Sequence, residues 1–139
     1  VNNSQVVSVD GTDALNFENK FDRILIDAPC TGLGALRRRP ESRWRKNLND
    51  LKELVLLQRN LLASSYELLT TGGIMAYVTC SPHLAETKGQ VLDFLSEHKD
   101  MKILPIQEVA GYMKREFKMM AAFSYGHTYI NLMPCSWFC

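Results

Sequence analysis

No apolar run in this 139-residue chain approaches the ~20 residues needed to cross a bilayer, and no charged segment leading into an apolar stretch opens it. A membrane protein and a secretory leader are therefore not expected. Cysteine is sparse: Cys30, Cys80, Cys135 and Cys139 form no Cys-x-x-Cys pair and no regular framework. That excludes a disulfide-stapled scaffold and points to a reducing, cytoplasmic setting. The three histidines, His83, His98 and His127, do not combine with the cysteines at metal-ligand spacing, so no metal site is expected. Repeats, low-complexity tracts and internal linkers are absent. A formal net charge of +1 leaves too little excess charge for polyanion binding over the whole surface. The basic character is instead local, with Arg37, Arg38, Arg39, Arg43, Arg45 and Lys46 falling within ten positions.

What is present suffices for one small domain, since 46% of the residues are hydrophobic. Two stretches organise it. Phe21 to Cys30 reads FDRILIDAPC and Gly72 to Pro82 reads GGIMAYVTCSP; each is an apolar run that ends abruptly in a polar tetrad. The pattern predicts buried parallel strands over 23–26 and 74–79, with chemistry at their C-terminal ends, where ligands bind in open α/β sheets. Between them, Leu51, Leu54, Val55, Leu61, Leu62, Leu68 and Leu69 sit near helical spacing. Asn49 is the expected N-cap and Gly72-Gly73 the stop signal. Strand, helix and strand then make a βαβ unit that brings Asp27 and Cys80 to one edge.

Elsewhere, 5–9 reads as a strand ending at Asp10, and 11–20 as a turn-rich stretch with at most one helical turn. The stretch 31–47 is a long crossover loop of the kind that carries function. A second helix is expected over 84–98, weakened by Gly89, which costs about 1 kcal/mol relative to alanine. A short strand is expected at 101–104, an ill-defined, partly helical segment at 107–120, and a terminal strand, antiparallel to the rest, over 125–133.

A thiol becomes a good nucleophile as a thiolate, and a strand-to-helix junction rich in backbone amides lowers its pKa. Cys80, followed by Ser81-Pro82 and a helix, occupies such a junction. Read alone it is more often an inert buried cysteine, and Asp27 alone is as often a turn former as a ligand. Two strand ends in one βαβ unit, a carboxylate with a second thiol on one and Cys80 on the other, favour catalysis. The arginine cluster around Trp44 suits phosphate pairing and base stacking. Its structural alternative is a solvated surface run.

In combination, FDRILIDAPCTGLGALRRRPESRW and GGIMAYVTCSPHLAET resemble motifs IV and VI of the RsmB and Sun type of RNA (cytosine-5)-methyltransferases, with Leu57-Gln58 fitting the helix between them. The resemblance covers about 6–95. It implies a doubly wound, mostly parallel Rossmann-like sheet and S-adenosylmethionine as cofactor. The expected substrate is a cytidine in RNA, more plausibly ribosomal than transfer RNA. On this resemblance Cys80 is the nucleophile that adds to carbon 6, Asp27 the acid held by Pro29, and Cys30 the group for release. Asp10 and Asp27 bind the cofactor, Glu86 matches the acid after motif VI, and Arg37, Arg38, Arg39, Arg43, Trp44, Arg45 and Lys46 hold RNA.

The family's glycine-rich loop, the acid after its second strand and its N-terminal RNA-binding extension have no counterpart in 1–139. The chain is therefore expected to be the C-terminal part of the catalytic domain, lacking the first strands and inactive alone, from an enzyme that is monomeric when complete. The strand at 5–9 would then have no neighbour. The family's terminal Gly-Thr-Asp-Gly-like stretch is only approximated by Gly126-His127-Thr128-Tyr129. A catalytically silent RNA-binding remnant and an unrelated thiol enzyme are the alternatives.

Overall fold

The computed structural model describes residues 3–14, 17–35, 40, 47–105, 121–125 and 129–133. Five strands, β1 (Phe21–Asp27), β2 (Leu69–Val78), β3 (Met101–Ile103), β4 (Ala121–Tyr125) and β5 (Tyr129–Met133), form one sheet in the order β1-β2-β5-β3-β4. Two helices, α1 (Leu48–Glu67) and α2 (Lys88–Glu97), complete an α/β fold with a largely parallel sheet. β1 and β2 are parallel neighbours, with Ile24 opposite Met75 and Ile26 opposite Tyr77. The expected βαβ unit is thus present, and both tetrads lie beyond the C-terminal ends of adjacent strands.

Alternation along the strands fixes which face is covered. Ile26, Met75 and Tyr77 are buried in a cluster with Leu62 of α1 and Val91 and Phe94 of α2, and Ile24 packs partly against it. Leu25, on the opposite face of β1, is 68% exposed. Both helices cover the Ile26 face, which leaves the face of Leu25 and Asp27 open among the described residues. At the far end of the helices Arg59 pairs with Glu97, and the Tyr66 hydroxyl donates to Asp100 at 2.7 Å.

Several expectations are corrected. Residues 5–9 lie in no sheet, and Val6 is 96% exposed, because no described strand lies beside them to complete a ladder. Helix α1 starts and ends earlier than its apolar spacing suggested. Its N-cap is Asn47, whose side chain accepts from the Asn49 and Asp50 backbones while Asp50 returns a bond to the Asn47 N–H, a complete capping box. It ends at Glu67. Gly72 and Gly73 are strand residues, not a helix stop: Gly72 has φ +81°, and a Cβ on Gly73 would lie 2.9 Å from Leu69 Cδ1 and from the Thr70 carbonyl oxygen.

The second helix divides into a 3-10 turn (Leu84–Glu86) and α2. Gly89 stands in the first turn of α2, where a Cβ would meet the Leu84 carbonyl oxygen at 2.9 Å, so glycine permits the turn and helix to pack together. In place of one antiparallel terminal strand there are two. β4 runs antiparallel to β3 and β5, as a short connection requires, and β5 thereby runs parallel to β2. Residues 107–120 lie outside the described part.

Leu62 is 1% exposed at the centre of the core. Leu62→Ala is expected to lower the unfolding free energy by about 2–5 kcal/mol in chemical denaturation. Leu56→Ala, on the exposed face of the same helix, should change it by less than about 0.5 kcal/mol.

Candidate active site

The β1–β2 ladder closes with the Ala28 N–H donating to the Val78 carbonyl at 2.9 Å, and both chains then leave the sheet. Pro29 cannot continue the ladder. The two departing chains do not diverge. Cys30 Sγ lies 3.0 Å from Cys80 Sγ, both thiols part-buried and neither in a disulfide. The residues after them also meet, with Thr31 Oγ1 3.1 Å from Ser81 Oγ. From the same loop the Gly34 N–H donates to the Cys80 carbonyl at 2.9 Å.

Beneath the thiols lies a buried polar cluster. Glu86 is fully buried. Its carboxylate accepts from the Thr31 N–H at 2.8 Å, the Thr31 hydroxyl at 2.5 Å and Gln58 Nε2 at 3.1 Å. Gln58, also fully buried, donates to the Pro29 carbonyl at 2.9 Å through the same nitrogen, and its own oxygen accepts from Gln90 Nε2 at 3.3 Å. The Tyr77 hydroxyl donates to the Glu86 carbonyl at 2.9 Å. Burial opposes charge on Glu86. The Ser81 and Thr31 hydroxyls, the Thr31 N–H and the Gln58 amide outweigh it and hold the carboxyl below its ordinary value. The Tyr77 phenol is pushed far up, by burial first and then by the charges of Glu86 and Cys30.

The remaining expected residues are placed less closely. Asp27 stands exposed at the end of β1, in register with Val78 and on the open face. Pro29 is exposed, with its carbonyl held by Gln58. Asp10 is exposed; its Oδ1 accepts from the Thr12 N–H at 2.9 Å and the Thr12 hydroxyl at 2.8 Å, a local turn that lowers its pKa. Arg37, Arg38, Arg39, Arg43, Trp44, Arg45 and Lys46 lie outside the described residues. A cleft of 660 Å³ lined by Thr12, Phe17, Asn60 and Ser64 sits at the opposite, N-terminal edge of the strands and holds none of the expected site residues.

Thr31, Ser81, Gln58 and Gln90 were not anticipated as a cluster. A signal existed for Gln58, which falls between Leu54-Val55 and Leu61-Leu62 on the apolar stripe of α1, where a polar side chain must find buried partners. For Thr31 and Ser81 the signal was only their position after each cysteine.

Comparison with known proteins matches the chain to a family. The model of the 16S rRNA methyltransferase RsmB/F family matches residues 1–131. The chain belongs to that family. It is 53% identical over 94 residues to a protein named putative methyltransferase Rv1407 of Mycobacterium tuberculosis, covering 68% of this chain and 20% of the relative. With ribosomal RNA small subunit methyltransferase B of Sodalis glossinidius it shares 41% identity over 99 residues, 70% of this chain and 23% of that protein. Among solved structures, NSun6 from Pyrococcus horikoshii, determined with SFG, superposes with a TM-score of 0.63 at 30% identity, covering 72% of this chain and 25% of that one. The chain thus spans about a fifth to a quarter of the length of these relatives.

Because the folded-state pKa of Glu86 is depressed, its charge stabilises the fold above the ordinary carboxylate range, and that contribution is lost as pH falls through the lowered value. Glu86→Gln, whose single side-chain oxygen cannot accept every donor, should cost about 1–3 kcal/mol at neutral pH. In urea titrations across pH the gap between wild type and variant should narrow on acidification below about pH 4. A gap that widens there would contradict the assignment.

Proposed function

We propose that this chain supplies the part of an RNA methyltransferase that activates a cytidine at carbon 6 for methylation at carbon 5, in ribosomal RNA. The observation that carries the reading is the 3.0 Å approach of the Cys30 and Cys80 thiols at the ends of adjacent strands. It is supported by membership of a family described as 16S rRNA methyltransferases.

Carbon 5 of cytosine is too weak a nucleophile to take a methyl group until something adds at carbon 6. In this reading the Cys80 thiolate forms a bond to carbon 6, and the displaced electron pair moves to ring nitrogen 3. Asp27, at the exposed end of β1, acts as the acid: its carboxylic O–H donates to that nitrogen and stabilises the charge developing there. S-adenosylmethionine supplies the methyl group as an electrophilic sulfonium. Its use is supported by the solved relative determined with SFG, an analogue of that cofactor. Asp27 fits a cofactor edge because it projects on the face that the helices leave open, and the exposed Asp10 is assigned to the cofactor with it.

Release then requires the carbon 5 proton to leave. Cys30 takes it, the carbon 5–carbon 6 double bond re-forms, and the sulfur–carbon 6 bond breaks with its electrons returning to Cys80. The target base must be unpaired or flipped out to meet a nucleophile in this cleft. The basic segment with Arg37, Arg38, Arg39, Arg43, Trp44, Arg45 and Lys46 is assigned to RNA phosphates and a stacked base.

The test is transfer of labelled methyl groups to small-subunit ribosomal RNA by the protein as it occurs in its host. Cys80→Ala is expected to reduce transfer by more than about three orders of magnitude, and Asp27→Asn by about 10²–10³-fold. Methylation that survives Cys80→Ala would overturn the proposal.

A further inference from the structure

The chain around Cys30 is gripped on both sides. One residue before it, the Pro29 carbonyl accepts from Gln58; one residue after it, the Thr31 N–H and hydroxyl both donate to Glu86. Gln58 and Glu86 are themselves joined at 3.1 Å, and both are fully buried. Helix α1 and the turn before α2 therefore meet under a single tripeptide, Pro29-Cys30-Thr31.

Cys80 is held differently. It continues directly from β2, whose ladder with β1 runs as far as Val78, and the Ser81 N–H that follows it donates to Thr79 Oγ1 at 3.3 Å. The strand and this turn hold it on the sheet, and the crossover loop reaches it through the Gly34 N–H on its carbonyl and the Thr31 hydroxyl beside Ser81. Beyond Ala28, polar ties of the Pro29-Cys30-Thr31 tripeptide run to Gln58, Glu86 and Ser81, and the Cys30 thiol meets that of Cys80.

We propose that Glu86 and Gln58 are positioning residues that set the separation of Cys30 from Cys80, and through it the release step. The proposal rests on the assignment of Cys80 as nucleophile and Cys30 as the group that removes the carbon 5 proton. A buried carboxylate suits the task because it accepts several hydrogen bonds at once, and a bent or shifted partner leaves a donor unsatisfied in a dry site. The grip permits one placement of Cys30. Loosening it moves Cys30 away from the reacting carbon and leaves Cys80 on its strand. Adduct formation is then kept and release is slowed, so that the enzyme remains attached to its RNA.

The experiment follows both steps in the protein as it occurs in its host. Rapid-quench gels measure formation and decay of the covalent RNA adduct, and phenylarsine oxide reports thiol separation without any RNA. The arsenical bridges two neighbouring thiols, forming two arsenic–sulfur bonds and releasing one water, and mass spectrometry of the peptides carrying Cys30 and Cys80 counts the bridge. In Glu86→Gln, adduct formation should stay within about threefold of wild type while release falls about ten- to a hundredfold, as expected when a reacting group is displaced by about an ångström. Bridging of Cys30 to Cys80 should fall in parallel.

Thr31→Val removes the hydroxyl at constant shape and should show the same split, with Thr31→Ser restoring release. This pair decides the matter if Glu86→Gln does not fold. Equal loss in both steps in Thr31→Val, or wild-type release and bridging in Glu86→Gln, overturns the proposal. Absence of any adduct in wild type overturns the catalytic assignment and the release role with it. Absence of the arsenical bridge in wild type overturns the positioning role alone.

Discussion

A carboxylate buried without access to water is costly unless its oxygens are engaged, and Glu86 meets that condition with donors from two other segments, so that three segments join at one group. The crossover loop contributes Thr31, helix α1 contributes Gln58, and the turn after β2 contributes Glu86 itself. None of these segments can move independently without breaking a bond in a dry place. Two loops that merely follow adjacent strands thereby become one rigid unit, and the thiols they carry come within 3.0 Å.

The sheet supplies the coarse placement on which this fine placement depends. Parallel pairing of β1 with β2 brings Asp27 level with Val78, so both strands end at one edge. The apolar stripe of α1 and the Val91-Phe94 face of α2 cover the side of Ile26, Met75 and Tyr77. The other side, carrying Asp27, stays open among the described residues. A covered face for stability and an open face for ligands is the division that α/β sheets commonly use.

The two strands, the helix between them and the shared edge were legible because apolar runs bounded by Pro29 and Pro82 have few other readings. Family membership was legible for a related reason: the Asp-Ala-Pro-Cys and Thr-Cys-Ser-Pro tetrads occur together, with their cysteines fifty residues apart in the chain. Boundaries were not. Asn47 rather than Asn49 caps α1 because Asp50 completes its capping box, a local choice between two asparagines two positions apart. Gly72-Gly73 carries the same letters whether it ends a helix or lets a strand bend, and only the positive φ of Gly72 and the crowding at Gly73 distinguish them. The polar cluster was least visible, since hydrogen bonds between residues 28 and 55 positions apart leave no local pattern.

The central claim is that Cys80 is the thiol that bonds to the base. Ribosomal RNA carrying 5-fluorocytidine tests it most directly, because fluorine at carbon 5 cannot leave as a proton does and the adduct cannot be released. After incubation with the protein and S-adenosylmethionine, digestion and mass spectrometry locate the nucleotide on a peptide. The account predicts a stable adduct on Cys80, with Cys30 unmodified. A nucleotide attached to Cys30, or no attachment under conditions where ordinary RNA is methylated, would contradict it.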